Sequence, residues 1–161
     1  MIENLTKDSK NKLELIYDSI IIKHEVVSED PHEKGLRKTL NYGHTLGHAI
    51  ESYFLDHSNY QALLHGDAIA IGLVLETYIS HKLLGFELKK LNQVKSVIRE
   101  LYGKVIITET DIEAIIRLLK FDKKNAFGNV NFVLLKDFGD SKIDCKVDNA
   151  LIREAFAYYA S

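Results

Sequence analysis

The sequence predicts a mainly α, multi-helix domain that closes with a small C-terminal β-hairpin. Three observations carry that reading. A single proline, Pro31, stands in 161 residues, which favours long uninterrupted helices. Apolar residues recur at three-to-four-residue steps through most of the chain, the pattern of amphipathic helices. Near the C-terminus that pattern gives way to β-branched and aromatic residues on either side of "DFGD", a hairpin signal.

The elements follow in order. "SKNKLELIYDSIIIKHEVVS" (9–28) places Leu13, Ile16, Ile20 and Val27 on one helical face, with Asp8 or Ser9 as its cap. "SEDPHEKG" stops that helix, because Pro31 disfavours helical backbone at Asp30. A second helix is expected from about Glu33 to Phe54, then a loop in "DHSNYQ" (56–61). "HGDAIAIGLVLETYISHKLL" (65–84) is apolar nearly all round and reads as a buried central helix ending at Gly85. Two further helices end at Gly103 and open at Thr110. The hairpin in 130–147 precedes a last amphipathic helix, capped by Asp148 or Asn149.

Composition narrows the function classes. Lys+Arg 21 against Asp+Glu 23 gives a net charge of -2, so no overall field favours nucleic acid or a membrane surface. The lone Cys145 excludes an internal disulfide framework and suits a reducing compartment. No apolar run approaches the roughly 18 residues of a membrane span. "MIENLTKDSKNKLELIYDS" lacks the features of a secretory leader. A cytoplasmic protein is expected, built as one helical domain over 1–161 that binds metal and substrate.

"LRKTLNYGHTLGHAIES" (36–52) is the chemically dense segment. Arg37, Asn41, His44, His48 and Glu51 step by four, three, four and three, which lines them along one face of a continuous helix. A polar stripe is ordinarily a solvated face, but such faces are normally Glu and Lys with alanine between. Gly43 and Gly47 each cost about 1 kcal/mol in a helix relative to alanine. Two in one helix imply that something packs very close to its backbone there. The His44–His48 pair has a metal-binding spacing, but a zinc site needs a third protein ligand. His65, at the start of the next helix, is the candidate, since a short loop makes the two helices antiparallel neighbours.

These residues resemble the 3-dehydroquinate synthase family, of the sugar-phosphate cyclase group. "KHEVVSEDPHEKGLRKTLNYGHTLGHAIE" (23–51), "LLHGDAIAIG" (63–72) and "FDKKN" (121–125) match three family motifs in order and spacing. The resemblance covers essentially the whole chain. It implies that His44 and His65 bind the metal, Zn²⁺ or Co²⁺, and that His48 contacts substrate near its phosphate and transfers protons. Lys23, Asn41 and Arg37 match groups that hold the substrate's carboxylate, hydroxyls and phosphate. One of Lys123 and Lys124 matches a substrate-binding lysine. Glu51 has no role in the motif and reads as a partner to a histidine.

The implied reaction converts 3-deoxy-D-arabino-heptulosonate 7-phosphate to 3-dehydroquinate and phosphate, a lyase step of the shikimate pathway to aromatic amino acids. It runs through NAD⁺ oxidation, phosphate elimination, re-reduction, ring opening and aldol closure. Two parts of the family pattern are missing from this sequence: a Gly-rich NAD-binding unit and an upstream motif supplying a glutamate metal ligand. The expectation is therefore the C-terminal domain alone, without the N-terminal NAD-binding domain, inactive by itself and with an open cleft. Asp67 stands where the family more often has glutamate. Family members are often dimers, so a homodimer is expected. Two other readings stay open: a cyclase acting on a different phosphorylated sugar, and a helical binding module without chemistry.

Overall fold

A computed structural model of the chain describes residues 12–57, 63–121 and 130–161. It contains α1 (Lys12–Glu29), a 3₁₀ helix (Leu36–Asn41), α2 (His44–Asp56), α3 (His65–Leu84), α4 (Leu88–Tyr102), α5 (Glu109–Phe121), β1 (Asn131–Asp137), β2 (Asp140–Lys146) and α6 (Asn149–Ala160). The mainly helical class and the terminal hairpin are as the sequence predicts. No helix among the described residues is long and apolar enough to cross a membrane.

α3 is the hub. It packs against α2, α4, α6 and β1, and Ile71, Val74, Leu75 and Ile79 are each almost completely buried. That is the behaviour expected of a helix apolar on all sides. Gly85 ends it in left-handed backbone, with its N–H returning to the Ser80 carbonyl, as a glycine C-cap does. The buried run Phe132–Leu134 lays β1 on α3, where Leu135 N–H donates to Ser80 Oγ at 2.9 Å. At the far end, Lys95 and Arg99 of α4 donate to the carbonyls of Tyr158 and Tyr159. Cations at the C-terminus of α6 complement its dipole.

Three expectations change on contact with the structure. The helix expected from Glu33 to Phe54 is two pieces: the 3₁₀ helix and α2, separated at Tyr42 and Gly43. Gly43 has φ +79°, a left-handed conformation no α-helix interior contains, so it ends one piece and begins the other. The fifth helix is capped by Thr108 rather than Thr110. Thr108 Oγ1 accepts from Asp111 N–H while Asp111 Oδ2 accepts from Thr108 N–H, a reciprocal capping box. Finally, the apolar face expected for the first helix exists but is not covered: Leu13, Ile16 and Ile20 are exposed among the described residues.

Candidate metal and substrate site

Glycine contacts bring α2 against α3. A Cβ on Gly47 would lie 2.6 Å from the Ile69 side chain and 3.0 Å from its Cα, and one on Gly72 would lie 2.0 Å from the Gly43 oxygen. The close approach expected from Gly43 and Gly47 is therefore real, and Gly72 is its third member. Gly43 faces Gly72, Gly47 faces Ala68 and Ile69, and Glu51 faces His65, so the two helices run antiparallel.

That register places three imidazoles together. His44 and His48 lie one turn apart on α2, and His65 opens α3. Ring centroids are 5.4 Å apart for His44 and His48, 5.6 Å for His48 and His65, and 6.0 Å for His44 and His65. One ligating nitrogen from each ring falls within 4.8 Å of the others. His44 and His48 are half-buried and His65 is exposed, so the cluster opens to solvent on one side.

Two of the three rings have their tautomers set. His44 Nδ1 lies 3.1 Å from the Tyr42 carbonyl oxygen, which can only accept, so Nδ1 carries the proton. His65 Nδ1 lies 3.0 Å from Glu51 Oε2, again an acceptor. With Nδ1 engaged in this way, Nε2 is the nitrogen each ring has left for a metal, the arrangement of metal-binding histidines with an outer hydrogen-bond partner. Neutral imidazoles suit Zn²⁺ or Co²⁺. Tetrahedral zinc spaces its nitrogens roughly 3.4 Å apart, so a cluster spread over as much as 4.8 Å has to draw in to hold one ion.

The remaining predicted residues are placed differently. Arg37 and Asn41 belong to the 3₁₀ helix, so they do not continue the α2 face. Arg37 Nη1 donates to the Pro31 carbonyl at 2.9 Å, and Asn41 Nδ2 donates to Glu33 Oε1 at 2.6 Å. Asp30 organises this turn by accepting from the N–H groups of Lys34, Gly35 and Arg37. Those backbone bonds, Lys34 and Gly35 foremost, hold its carboxyl below the ordinary carboxylate value. Glu33 has φ +54°, a left-handed conformation uncommon for a residue with a side chain. Lys23 is exposed on α1. Lys123 and Lys124 lie outside the described residues.

One buried group was not picked out from the sequence. Glu76, in the middle of α3, is completely buried. Its Oε2 accepts from Gly43 N–H at 2.8 Å and its Oε1 from Leu46 N–H at 3.1 Å. Burial pushes its carboxyl from the ordinary 4.5 up to about 8, against the pull of the Leu46, Gly43 and Thr45 backbone N–H groups. The signal was a lone acid inside "AIGLVLETYIS" (70–80). The adjacent Thr77 meets the Tyr42 hydroxyl through its Oγ1.

Comparison with known proteins shows what the chain as a whole is similar to. The sequence profile of the family described as 3-dehydroquinate synthase C-terminal matches residues 1–125. A 3-dehydroquinate synthase of Parabacteroides distasonis is 44% identical over 145 residues, covering 90% of this chain and 40% of the relative. One from Bacillus pumilus is 39% identical over 142 residues, covering 87% and 38%. The chain thus spans about two-fifths of the length of the curated relatives it matches. Among solved structures, ValA (2-epi-5-epi-valiolone synthase) of Streptomyces hygroscopicus, with NAD⁺ and Zn²⁺ bound, shares the fold. Its TM-score is 0.75 at 22% identity, over 92% of this chain and 40% of that one. A 2-deoxy-scyllo-inosose synthase complexed with carbaglucose-6-phosphate, NAD⁺ and Co²⁺ gives 0.70 at 25% identity, over 89% and 39%.

Proposed function

Because this chain belongs to the 3-dehydroquinate synthase family, matching its C-terminal domain, we propose that it forms the metal- and substrate-binding part of such an enzyme. The reaction proposed is conversion of 3-deoxy-D-arabino-heptulosonate 7-phosphate to 3-dehydroquinate with loss of phosphate. The convergence of His44, His48 and His65 from two helices is the observation that carries this reading.

In this reading His44 and His65 hold the metal through Nε2, with a further ligand from the part of the protein outside this chain. When bound, the metal polarises the substrate hydroxyl to be oxidised. His48, beside both rings, takes up and returns protons, a role suited to imidazole near neutral pH. Arg37, Lys23 and the Lys123–Lys124 pair neutralise the substrate's phosphate and carboxylate, and Arg37 suits a bidentate contact. Asn41 hydrogen-bonds a substrate hydroxyl, and Glu33 holds its amide until substrate arrives. NAD binds to the remaining part of the protein, which docks on the exposed apolar side chains of α1, including Leu13, Ile16 and Tyr17.

The test is phosphate release from 3-deoxy-D-arabino-heptulosonate 7-phosphate with NAD⁺ and Zn²⁺. This chain is assayed alone and after mixing with the N-terminal three-fifths of the Parabacteroides distasonis relative. Silence alone and release on mixing are expected. On the reconstituted enzyme, His48→Ala should lower kcat by roughly 10²–10⁴-fold, the usual worth of a positioned proton-transfer group. Release by the chain alone would refute the split site. Silence on mixing, with the other part shown folded and bound, would redirect the substrate to that of another cyclase, such as a valiolone or inosose synthase.

Glu51 makes a separate expectation. Its carboxylate fixes His65 through Nδ1, so Glu51→Ala should weaken Co²⁺ binding about 10–100-fold, as loss of an outer hydrogen-bond partner does. Titration followed by the visible absorption of Co²⁺ reads this directly. Unchanged affinity would mean that the pair is an ordinary surface contact.

A further inference from the structure

α2 begins under an unusual constraint. Its N-cap is Gly43, which offers no side chain to the free N–H groups of the first turn. A capping side chain cannot simply be added there. A Cβ on Gly43 would lie 2.7 Å from Leu73 Cδ2 and 3.1 Å from the Leu73 nitrogen, in left-handed backbone. The cap comes instead from another helix. Glu76 of α3 reaches Gly43 N–H with one carboxyl oxygen and Leu46 N–H with the other. His44 and Thr45 are the residues between those two contacts, so the segment that carries His44 is held at both ends.

The rest of the turn is gripped by the same face of α3. Thr77 contacts the Tyr42 hydroxyl and is itself anchored by donating to the Leu73 carbonyl at 2.5 Å. The Tyr42 carbonyl accepts from His44 Nδ1. Gly72 permits the Gly43 carbonyl and the Gly47 nitrogen to approach. His65 heads this same helix, so every contact that fixes the start of α2 also fixes it relative to His65.

We propose that Glu76 is a positioning residue: its fully buried carboxyl caps α2 from α3 and so locks His44 and His48 in register with His65. This rests on the histidine cluster being the functional site but goes beyond its assigned residues. A bare structural role for Glu76 would affect stability alone. A positioning role affects the relation between the imidazoles, and it requires two acceptor oxygens. Protonated or not, a carboxyl keeps both oxygens; an amide replaces one with a donor aimed at an N–H.

The experiment compares wild type, Glu76→Gln, Glu76→Asp and Leu91→Ala in this chain. Leu91 is completely buried in α4 and controls for general loss of stability. NMR contacts between the rings of His44, His48 and His65 report the geometry without any metal, and amide exchange at Gly43 and Leu46 reports the cap. Glu76→Gln is expected to lose ring contacts to His65, to speed exchange at those two amides by about 100-fold, and to weaken Co²⁺ binding about tenfold. Leu91→Ala should keep the ring contacts. Glu76→Asp, whose shorter side chain cannot reach both N–H groups, should behave as Glu76→Gln does, and it decides the matter if Glu76→Gln fails to fold.

Wild-type ring contacts in folded Glu76→Gln or Glu76→Asp would overturn the proposal. So would equal loss of contacts in Leu91→Ala. Wild-type chain with intact ring contacts and no Co²⁺ uptake would refute the metal reading instead, and the NMR comparison would still judge Glu76.

Discussion

Gly72→Ala is expected to destabilise the chain by more than about 3 kcal/mol, a loss large against a total stability of roughly 5–15 kcal/mol. The new methyl carbon would stand 2.0 Å from the Gly43 oxygen, 2.8 Å from the Gly47 nitrogen and 3.1 Å from the Gly43 carbonyl carbon. All three are backbone atoms, so no rotamer change relieves the clash. α2 must move off α3 by more than an ångström, which uncovers Leu46 and Ile50 on one side and Ile71 and Leu75 on the other. Overpacking of side chains alone costs about 1–3 kcal/mol, and helix propensity returns only about 1 kcal/mol for the glycine replaced. Gly66→Ala is the contrasting substitution. It lies in the same helix with nothing within 4 Å of its would-be Cβ, so it should be neutral or stabilise by up to about 1 kcal/mol. Urea unfolding of both variants followed by circular dichroism checks the pair. A Gly72→Ala variant as stable as Gly66→Ala would mean that the helices are not in contact there.

Gly72 also shows where sequence reading reaches its limit. The glycines at 43 and 47 were legible as a close approach, because each is costly in a helix. Their partner was not, since a glycine in an apolar helix carries no sign of what it faces. The stripe from Arg37 to Glu51 was misread for a related reason. Three-and-four spacing survives the break, because the left-handed Gly43 falls between Asn41 and His44 without disturbing the count. Only contacts from residues about thirty positions later, at Gly72 and Glu76, reveal that the chain turns there. Thr108 and Thr110 are equivalent cap candidates by composition. Asp111 decides between them: it is buried, accepts from the Tyr53 hydroxyl of α2 at 2.6 Å, and pairs with Thr108. By contrast, Gly85, Gly103 and Asp148 were readable as element boundaries because each acts locally. The histidine cluster was readable too, because one short loop brings His65 back beside the residues that precede it.

The pH dependence of stability should run opposite to the usual behaviour of a carboxylate across the neutral range, and Glu76 is the reason. In the unfolded chain its carboxyl titrates near 4.5; in the folded chain, burial raises it to about 8. Between those values the folded state holds a proton that the unfolded state releases, so rising pH favours unfolding. The contribution is fully present below 4.5, declines through the neutral range and is gone above about 8. At about 1.4 kcal/mol per pH unit, the whole span is worth roughly 5 kcal/mol. Asp30 and Asp137 act in the other direction. Their folded-state values are lowered by hydrogen bonds from the Lys34 backbone and the Lys90 side chain respectively, so their contribution is present above about 4 and lost as pH falls. Two opposed limbs give a stability maximum on the acid side of neutrality. Glu76→Gln removes only the alkaline limb. Urea midpoints at intervals from pH 5 to 9 should show wild type losing ground to Glu76→Gln up to about pH 8 and the difference levelling off above it. A constant difference would mean that Glu76 does not titrate on folding. A difference moving in wild type's favour would mean that the Gly43 and Leu46 N–H groups, at the positive end of α2, outweigh burial and hold the carboxylate ionised.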